Sequence, residues 1–279
     1  MAGKDRKKQL ARQRYERQMQ RRAARRARAR RMKIIGTVVA VAVIAGGSGA
    51  IAFAMNKSDK KSPTAAASAS ASKSASAQPT VSAKPGECAY QPLTGSPNAK
   101  DVGTPPVKPV KGTYKMTIDT DQGKIVAKLD GTKASCTVNS FKYLASKKFF
   151  DSTKCHRLDT GIKVLQCGDP SATGSGGPKY GFGNENVPKG DSSGQATYKR
   201  GMIAMAHSSQ PNSNGSQFFI MYGDAKLPAD YTVFGEITKG LDVVDSVAKA
   251  GATAPDPQSG MTAPKKKIEI KHLTVAKMG

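Results

Sequence analysis

The stretch from Cys155 to Asp169, CHRLDTGIKVLQCGD, contains residue types that are well suited to recognising a peptide. It reads as two short strands joined by a glycine-containing turn at 159–161. Arg157 and Gln166 stand among its apolar residues. A fixed guanidinium beside an amide, on a rigid sheet, can bind a peptide carbonyl or a carboxylate. A solvent-exposed arginine on an edge strand is the simpler alternative.

The register of this hairpin decides which side chains meet. If Arg157 lies opposite Leu165, then Cys155 lies opposite Cys167. Gln166 is then a diagonal neighbour of Arg157, within reach of a long side chain. We use this register as a working hypothesis for the arrangement of the candidate site.

The sequence around the hairpin predicts one mainly β domain that begins near Gly112. Six further segments have strand patterns, and two have helical spacing of apolar residues, with Ser135 or Thr137 near the N-cap of the first helix. A glycine-rich stretch with little periodicity runs from 168 to 194. Many strands and two helices indicate a β-barrel or sandwich with helices covering its ends. The strand segments are 114–120, 124–129, 202–206, 216–221, 232–237 and 267–275, and the helical segments are 137–145 and 241–248.

The four cysteines fit an oxidising exterior and allow three pairings. We favour Cys155–Cys167 across the hairpin and Cys88–Cys136 between the first helix and the segment that leads into the domain. Buried free thiols are the alternative. The sequence has no CxxC motif, and its three histidines lack the spacing of metal ligands, so we expect no metal and no cofactor.

The net charge of +25 is concentrated at the N-terminus, where residues 1–33 contain fifteen Lys or Arg and two acidic residues. The next twenty-two residues, Ile34–Met55, are uncharged. As a helix they would be about 33 Å long, enough to cross the hydrocarbon core. The positive-inside rule then predicts a single-pass cell-membrane protein with a cytoplasmic N-terminus and an extracytoplasmic domain. Cleavage after Ala54, which would give a secreted form, is the alternative.

Composition divides the rest of the chain into a linker, a lead-in and a domain. Residues 56–85 are rich in Ala, Ser and Pro and predict a flexible linker. Residues 86–111 form a Pro-rich lead-in, and residues 112–279 form the folded domain. We expect the basic tail to bind anionic membrane lipids, at about 1 kcal/mol per basic residue near the surface. Nucleic acid is the less favoured partner, although the tail would bind any polyanion in a salt-dependent way.

Six blocks of the sequence, in order, resemble the cyclophilin family of peptidyl-prolyl cis-trans isomerases over about residues 113–279, and the whole chain resembles a membrane-anchored bacterial form of the actinobacterial type. The resemblance implies a mainly β fold, an eight-stranded antiparallel β-barrel capped by two helices. The blocks are HRL (156–158), QCGD (166–169), GSGG (174–177), MIAMA (202–206), PNSNGSQFFI (211–220) and VFG (233–235).

The resemblance also implies the site residues. Arg157 matches the catalytic arginine of the family, Gln166 the glutamine that orients it, and His156 a neighbouring site histidine. The implied substrate-binding residues are the pocket floor Phe219, the aliphatic wall Leu227, the polar contact Gln217, the peptide-pairing strand residues Ala206 and His207, and the pocket positions Ile162, Val164 and Tyr231.

The pocket departs from the family pattern at several positions. The expected tryptophan is Lys226, and the later site histidine is Tyr231. The loop between the two hairpin strands is one residue longer than in the best-known members. The pocket phenylalanine expected in that loop falls among Ile162, Lys163 and Val164. The arginine and the pocket floor are retained despite these departures. Pocket shape, substrate preference and cyclosporin affinity are properties that the resemblance does not carry over to this chain.

We therefore expect a peptidyl-prolyl cis-trans isomerase that assists the folding of extracytoplasmic proteins, with proline-containing unfolded or secreted polypeptides as partners. Arg157 would stabilise the twisted prolyl amide over an apolar pocket. A non-catalytic module that binds proline peptides, or a holdase chaperone with the same groove, is the alternative function.

Overall fold

The computed structural model describes residues 84–93 and 98–279. The predicted basic tail, the predicted membrane span and almost all of the predicted linker lie outside these residues. No helix in the described part of the chain is long and apolar enough to span a membrane.

The described residues form fifteen strands and two helices. The strands are β1 (Gln91–Pro92), β2 (Ala99–Lys100), β3 (Thr113–Thr120), β4 (Gly123–Asp130), β5 (Thr153–Lys154), β6 (Arg157–Asp159), β7 (Val164–Cys167), β8 (Gly177–Pro178), β9 (Tyr180–Gly181), β10 (Gln195–Tyr198), β11 (Met202–Met205), β12 (Phe218–Met221), β13 (Ala225–Pro228), β14 (Val233–Lys239) and β15 (Glu269–Lys277), and the helices are α1 (Ser135–Ser146) and α2 (Leu241–Ala250).

Nine of these strands form one antiparallel sheet, in the order β5-β15-β3-β4-β14-β11-β12-β7-β6. Its two edge strands, β5 and β6, are separated along the chain only by Cys155 and His156. Because two residues span only a few ångströms, the sheet must curl until its edges approach each other. The prediction of eight strands is therefore wrong by one, since this sheet has nine. The segment 153–159 forms two short strands, of which β5 pairs with β15 at one edge and β6 pairs with β7 at the other.

The β3–β4 hairpin shows why this sequence forms strands. Buried and more exposed positions alternate along both strands, which is the pattern of a sheet with one face in the core. Met116, Ile118, Ile125 and Leu129 point inward and are at most 2% exposed. The Thr120 hydroxyl donates to the Gly123 carbonyl and helps to close the turn.

Two apolar clusters lie on opposite faces of β7, β11 and β12. The inner cluster is the main core and includes Leu165, Ile203, Phe218 and Phe234. We call the other the outer cluster; its buried members are Val164, Ala196, Tyr198, Ala204, Phe219, Met221 and Leu227. The two-stranded antiparallel sheet of β10 and β13 covers this cluster and contributes Leu227 to it.

Helix α1 packs against the sheet through Val138, Phe141 and Leu144, which are fully buried. Ser135 and Thr137 lie in the first turn of the helix, near the N-cap as predicted, but the N-cap residue itself is Ala134, which provides no side-chain hydrogen bond. The Glu185 carboxylate instead accepts hydrogen bonds from the backbone N–H groups at 136 and 137, at 3.0 and 2.8 Å. A carboxylate at this end also complements the helix dipole.

The lead-in is attached to the domain at several points. The predicted Cys88–Cys136 disulfide joins it to α1, and the Tyr90 hydroxyl donates to the Cys136 carbonyl. Strand β1 pairs with β9, and β2 pairs with β8 in parallel. The segment 168–194, expected to lack periodic structure, therefore contains short strands that pair with the lead-in.

Candidate active site

The β6–β7 hairpin differs in register from the working hypothesis. Arg157 lies directly opposite Gln166, and Leu158 lies opposite Leu165. The shift arises because four residues, 160–163, connect the strands, and Lys163 adopts a left-handed conformation with φ of 56°. The predicted Cys155–Cys167 disulfide is nevertheless present, with the Cα atoms 4.0 Å apart.

The Arg157 side chain is held at both ends of its guanidinium. Nη1 donates to Gln166 Oε1 at 3.1 Å, and Nη2 donates to Asp159 Oδ2 at 2.5 Å. The side chains of Arg157 and Asp159 are 29% and 30% exposed, so water only partly screens their interaction. Two fixed hydrogen bonds restrict rotation of the planar group and define the direction of its remaining N–H donors.

A chain of amide hydrogen bonds sets the orientation of Gln166. Gln217 Nε2 donates to the carbonyl oxygens of Gly174 and Gly176, at 3.0 and 2.9 Å. Because a carbonyl can only accept, the Gln217 oxygen must point the other way, where Gln166 Nε2 donates to it at 2.8 Å. The Gln166 oxygen is thereby left to accept from Arg157.

The loop that supplies these carbonyls is organised by the buried Asp169 carboxylate. It accepts hydrogen bonds from the backbone N–H groups of Ser171, Thr173, Gly174 and Gly176, at 2.6–3.1 Å. Burial acts to raise the pKa of Asp169, but hydrogen bonds from Ser171 and Gly176 outweigh it and hold that pKa below its usual value. A Cβ at Gly176 would lie 2.0 Å from the carboxylate, so the close approach requires glycine.

A small cavity of about 120 Å³, lined by both apolar and polar side chains, opens beside the Arg157 guanidinium. Its walls come from the outer cluster, from the β6–β7 loop and from the strand ends at 206–207. The lining residues are Arg157, Ile162, Val164, Gln166, Ala206, His207, Phe219, Leu227 and Tyr231.

One side of the cavity is aromatic. The Tyr231 ring lies 4.9 Å from the His207 ring and meets the Phe219 ring edge-on at 5.4 Å. The His207 ring nitrogens lie 2.8 Å from the Ser208 carbonyl oxygen and 3.0 Å from the Asp230 carbonyl oxygen. Burial raises the pKa of Tyr231, so its phenol is neutral at ordinary pH. These contacts fix the wall on which an apolar ring can pack.

Nine of the eleven residues named from the sequence line this cavity, and two do not. Gln217 lies behind Gln166 and acts on it through the amide hydrogen bond. His156 is only 6% exposed, and within residues 84–93 and 98–279 neither of its ring nitrogens has a hydrogen-bond partner. Burial lowers the pKa of His156, although the charge of Asp169 opposes that shift. The structure therefore places His156 in the interior and away from the cavity.

Sequence reasoning treated Asp159 only as a turn residue. Its Oδ1 atom accepts from the backbone N–H groups of Gly161 and Ile162, at 2.9 and 3.2 Å, while Oδ2 binds Arg157. The available signal was spacing, since residues 157 and 159 share a face when they lie on one strand. Asp159 and Arg157 also border a second cavity of about 540 Å³, whose other walls come from 252–253 and 259–262.

Comparison with known proteins identifies one matching family. The family model for cyclophilin-type peptidyl-prolyl cis-trans isomerases matches residues 114–275. The chain is similar to a probable peptidyl-prolyl cis-trans isomerase B from Mycobacterium leprae, with 42% identity over 186 residues that cover 58% of this chain and 63% of that protein. A protein with the same description from Mycobacterium tuberculosis is 46% identical over 160 residues, 53% of this chain and 50% of the relative. The chain thus spans less than two thirds of the length of either relative.

Two solved structures are similar to part of this chain. A cyclophilin-type peptidyl-prolyl cis-trans isomerase from Cryptosporidium parvum aligns with a TM-score of 0.45 and 24% sequence identity, covering 60% of this chain and 100% of that chain. A second structure of that protein, determined in the presence of the dipeptide Ala-Pro, aligns with a TM-score of 0.44 and 26% identity, covering 59% of this chain and 99% of that chain.

Proposed function

This chain belongs to the family of cyclophilin-type peptidyl-prolyl cis-trans isomerases, and we propose that it catalyses cis-trans isomerisation of X–Pro bonds in polypeptides. The observation that carries the proposal is the position of Arg157. Its guanidinium is held by Gln166 and Asp159 at the border of a small cavity, one part of which is formed by the outer cluster. The relatives named as probable isomerases support the same activity.

The reaction requires no covalent intermediate. Rotation about an X–Pro bond is opposed by amide resonance, with a barrier of about 18–20 kcal/mol, and takes tens of seconds or more unaided. In the twisted state the prolyl nitrogen is pyramidal and carries a lone pair that can accept a hydrogen bond. A donor aimed at that nitrogen binds the twisted state more strongly than the planar state, and this difference lowers the barrier.

The cavity supplies the complementary parts of this mechanism. The proline ring packs between Val164, Phe219 and Leu227, whose side chains are buried members of the outer cluster. Arg157 donates to the prolyl nitrogen with an N–H that is not used by Gln166 or Asp159. Arginine suits this role because its charge persists at all ordinary pH values and its orientation is fixed by two partners.

The proposal extends to location and clients. The basic tail 1–33 and the uncharged stretch Ile34–Met55 support a single-pass membrane protein whose tail binds anionic lipids and whose domain assists the folding of exported polypeptides. One disulfide within the domain and one between the domain and the lead-in are consistent with an oxidising exterior. Protease added to intact cells should release the domain by cutting the linker 56–85. A domain that is cut only after lysis would contradict this orientation.

The activity itself is tested by measuring cis-trans exchange of an Ala–Pro peptide, by NMR, with and without the purified protein. We expect exchange to be accelerated at catalytic protein concentrations. An alternative function is a holdase that binds proline peptides without isomerising them, and the replacement of the expected tryptophan by Lys226 motivates it. Unchanged exchange rates together with suppressed aggregation of an unfolded client would reject catalysis and favour the holdase.

A further inference from the structure

One carboxylate lies between the guanidinium and the wall of the cavity. Asp159 Oδ2 accepts from Arg157 Nη2 at 2.5 Å. Asp159 Oδ1 accepts from the backbone N–H groups of Gly161 and Ile162, and Ile162 lines the cavity. A single side chain therefore makes contact with both the charged group and the loop that bears part of the apolar wall.

The backbone that carries Asp159 is itself held in place. The Tyr222 hydroxyl donates to the Asp159 carbonyl at 3.0 Å, and the Tyr222 N–H donates to the Lys163 carbonyl at 3.0 Å. On the edge of β6 that faces away from β7, the Leu158 N–H donates to the Thr262 carbonyl at 2.8 Å. The Thr262 hydroxyl donates to the Leu158 carbonyl at 2.6 Å. The carboxylate is thus presented from a rigid part of the fold, which is what a group that orients another side chain requires.

We propose that Asp159 is a positioning residue for prolyl isomerisation, with one oxygen orienting the Arg157 guanidinium and the other fixing the loop that carries Ile162. This inference rests on the proposed isomerase function of the same site. Gln166 holds one end of the guanidinium, and Asp159 holds the other. Without Asp159, the group would rotate about its attachment to Gln166, and the donor aimed at the prolyl nitrogen would be in place for a smaller fraction of the time.

Two substitutions separate the two oxygens. Asp159→Asn keeps a carbonyl oxygen that can accept from Gly161 and Ile162, but it places an amide nitrogen towards Arg157 and removes the charge-assisted bond. We expect kcat to fall about tenfold with an unchanged KM, because only the transition-state contact is lost. Asp159→Ala removes both sets of contacts, so its KM should also rise as the Ile162 loop loosens.

The control is Asp130→Asn. Asp130 Oδ1 also accepts from two backbone N–H groups in a turn, those of Thr132 and Lys133, and its Oδ2 lies 3.9 Å from the Lys133 ammonium. None of these residues lines the cavity beside Arg157. This variant should keep the wild-type kcat and KM, so a loss of activity confined to Asp159→Asn is not a general effect of disturbing an aspartate-capped turn.

The decisive experiment combines kinetics with NMR signals of the arginine side chains, measured on the isolated folded protein. In the wild type we expect separate Nη signals for Arg157, because both ends of the guanidinium are held, and in Asp159→Asn we expect these signals to average through rotation. Arg200, whose two Nη atoms bind Asp245 at 2.7 Å, is an internal reference that should not change. Asp159→Asn should add no further loss of kcat in an Arg157→Ala background.

Two results would overturn the inference: unaltered Arg157 signals in Asp159→Asn, or a loss of kcat of the same size with and without Arg157. These outcomes are distinct from a failure of the proposed function. If the wild type does not accelerate exchange, the isomerase proposal fails, and the NMR signals alone still decide whether Asp159 holds Arg157.

Discussion

Phe218 and Phe219 are neighbours on β12, but they belong to different parts of the molecule. Phe218 points into the inner cluster, where it is fully buried and packs near the rings of Phe141 and Phe150. Phe219 points to the opposite face, belongs to the outer cluster and forms part of the cavity beside Arg157. The same residue type therefore serves stability on one face of the sheet and a binding site on the other.

The inner cluster positions the site on the opposite face of the sheet. Alternate residues of a strand point to opposite faces, so the packing of the inner cluster fixes the strands whose outer side chains form the cavity. His156 and Arg157 are also neighbours in different surroundings, since the first is buried and the second contributes its guanidinium to the site. Substitutions at neighbouring positions should consequently have different effects.

The largest effect is expected for Phe218→Ala. Truncation of a fully buried phenylalanine removes its apolar contacts and leaves a cavity, at a cost of about 3–5 kcal/mol in the free energy of unfolding. Urea denaturation of the isolated domain measures this directly. The folded fraction of the variant should retain a KM close to that of the wild type. A loss below about 1 kcal/mol in the free energy of unfolding would contradict the role of Phe218 as a stabilising residue of the inner cluster.

Phe219→Ala should give the opposite pattern. We expect KM for an Ala–Pro peptide to rise about tenfold, because the floor of the pocket is removed. This rise corresponds to roughly 1.4 kcal/mol of lost binding free energy. The loss of stability should be smaller than for Phe218→Ala, because Phe219 borders an existing cavity. Equal losses of stability in the two variants, with no change in KM, would mean that Phe219 is only a packing residue.

The smallest effect is a pH dependence that comes from the interior neighbour of Arg157. Because burial lowers the pKa of His156 from its ordinary value of 6.5, the unfolded chain binds a proton that the folded protein does not. Stability should therefore decrease as the pH falls below about 6.5. Urea titrations at several pH values should show this decrease in the wild type and a weaker decrease in His156→Leu. An identical pH dependence of stability in both proteins would show that His156 is not the group responsible for the decrease.

A second titratable group, the Asp169 carboxylate, affects stability at lower pH, and its effect has the same sign as that of His156. The folded-state pKa of Asp169 is below its usual value, so its contribution to stability is present above about pH 4 and is lost as the pH falls through the folded-state pKa. The two groups are separable because the effect of His156 begins near pH 6.5 and that of Asp169 only in stronger acid.

Much of the fold could be predicted from local patterns. The alternation in 114–120 and 124–129 identified β3 and β4, and the spacing of Val138, Phe141 and Leu144 identified α1. The cap of α1 could not be found in this way, because Glu185 is separated by about fifty residues from the N–H groups that it binds. The short strands β1, β2, β8 and β9 were missed for a similar reason, since they form by pairing of distant segments.

At the candidate site, the sequence identified residue types better than contacts. Arg157 and Gln166 were expected together, but a one-residue error in register made them diagonal neighbours, while in the structure they are directly opposite. The turn geometry that decides the register depends on the left-handed Lys163 and on the Asp159 carboxylate, and neither is evident from composition. His156 lies between β5 and β6, outside both strands, so strand alternation does not decide where its side chain lies, and its burial was not evident from the sequence.

The proposed role of Arg157 is tested most directly by comparing wild type with Arg157→Ala at equal folded concentration, on an Ala–Pro peptide. We expect kcat/KM to fall about 10²-fold, which corresponds to about 2.7 kcal/mol of lost transition-state stabilisation. The free energy of unfolding should change little. Arg157→Lys should restore little, because it keeps the charge but loses the planar donor pair. Arg200→Ala is the control, since Arg200 binds Asp245 and does not line the cavity beside Arg157. Wild-type activity in Arg157→Ala would show that Arg157 is a surface charge and would contradict the mechanism.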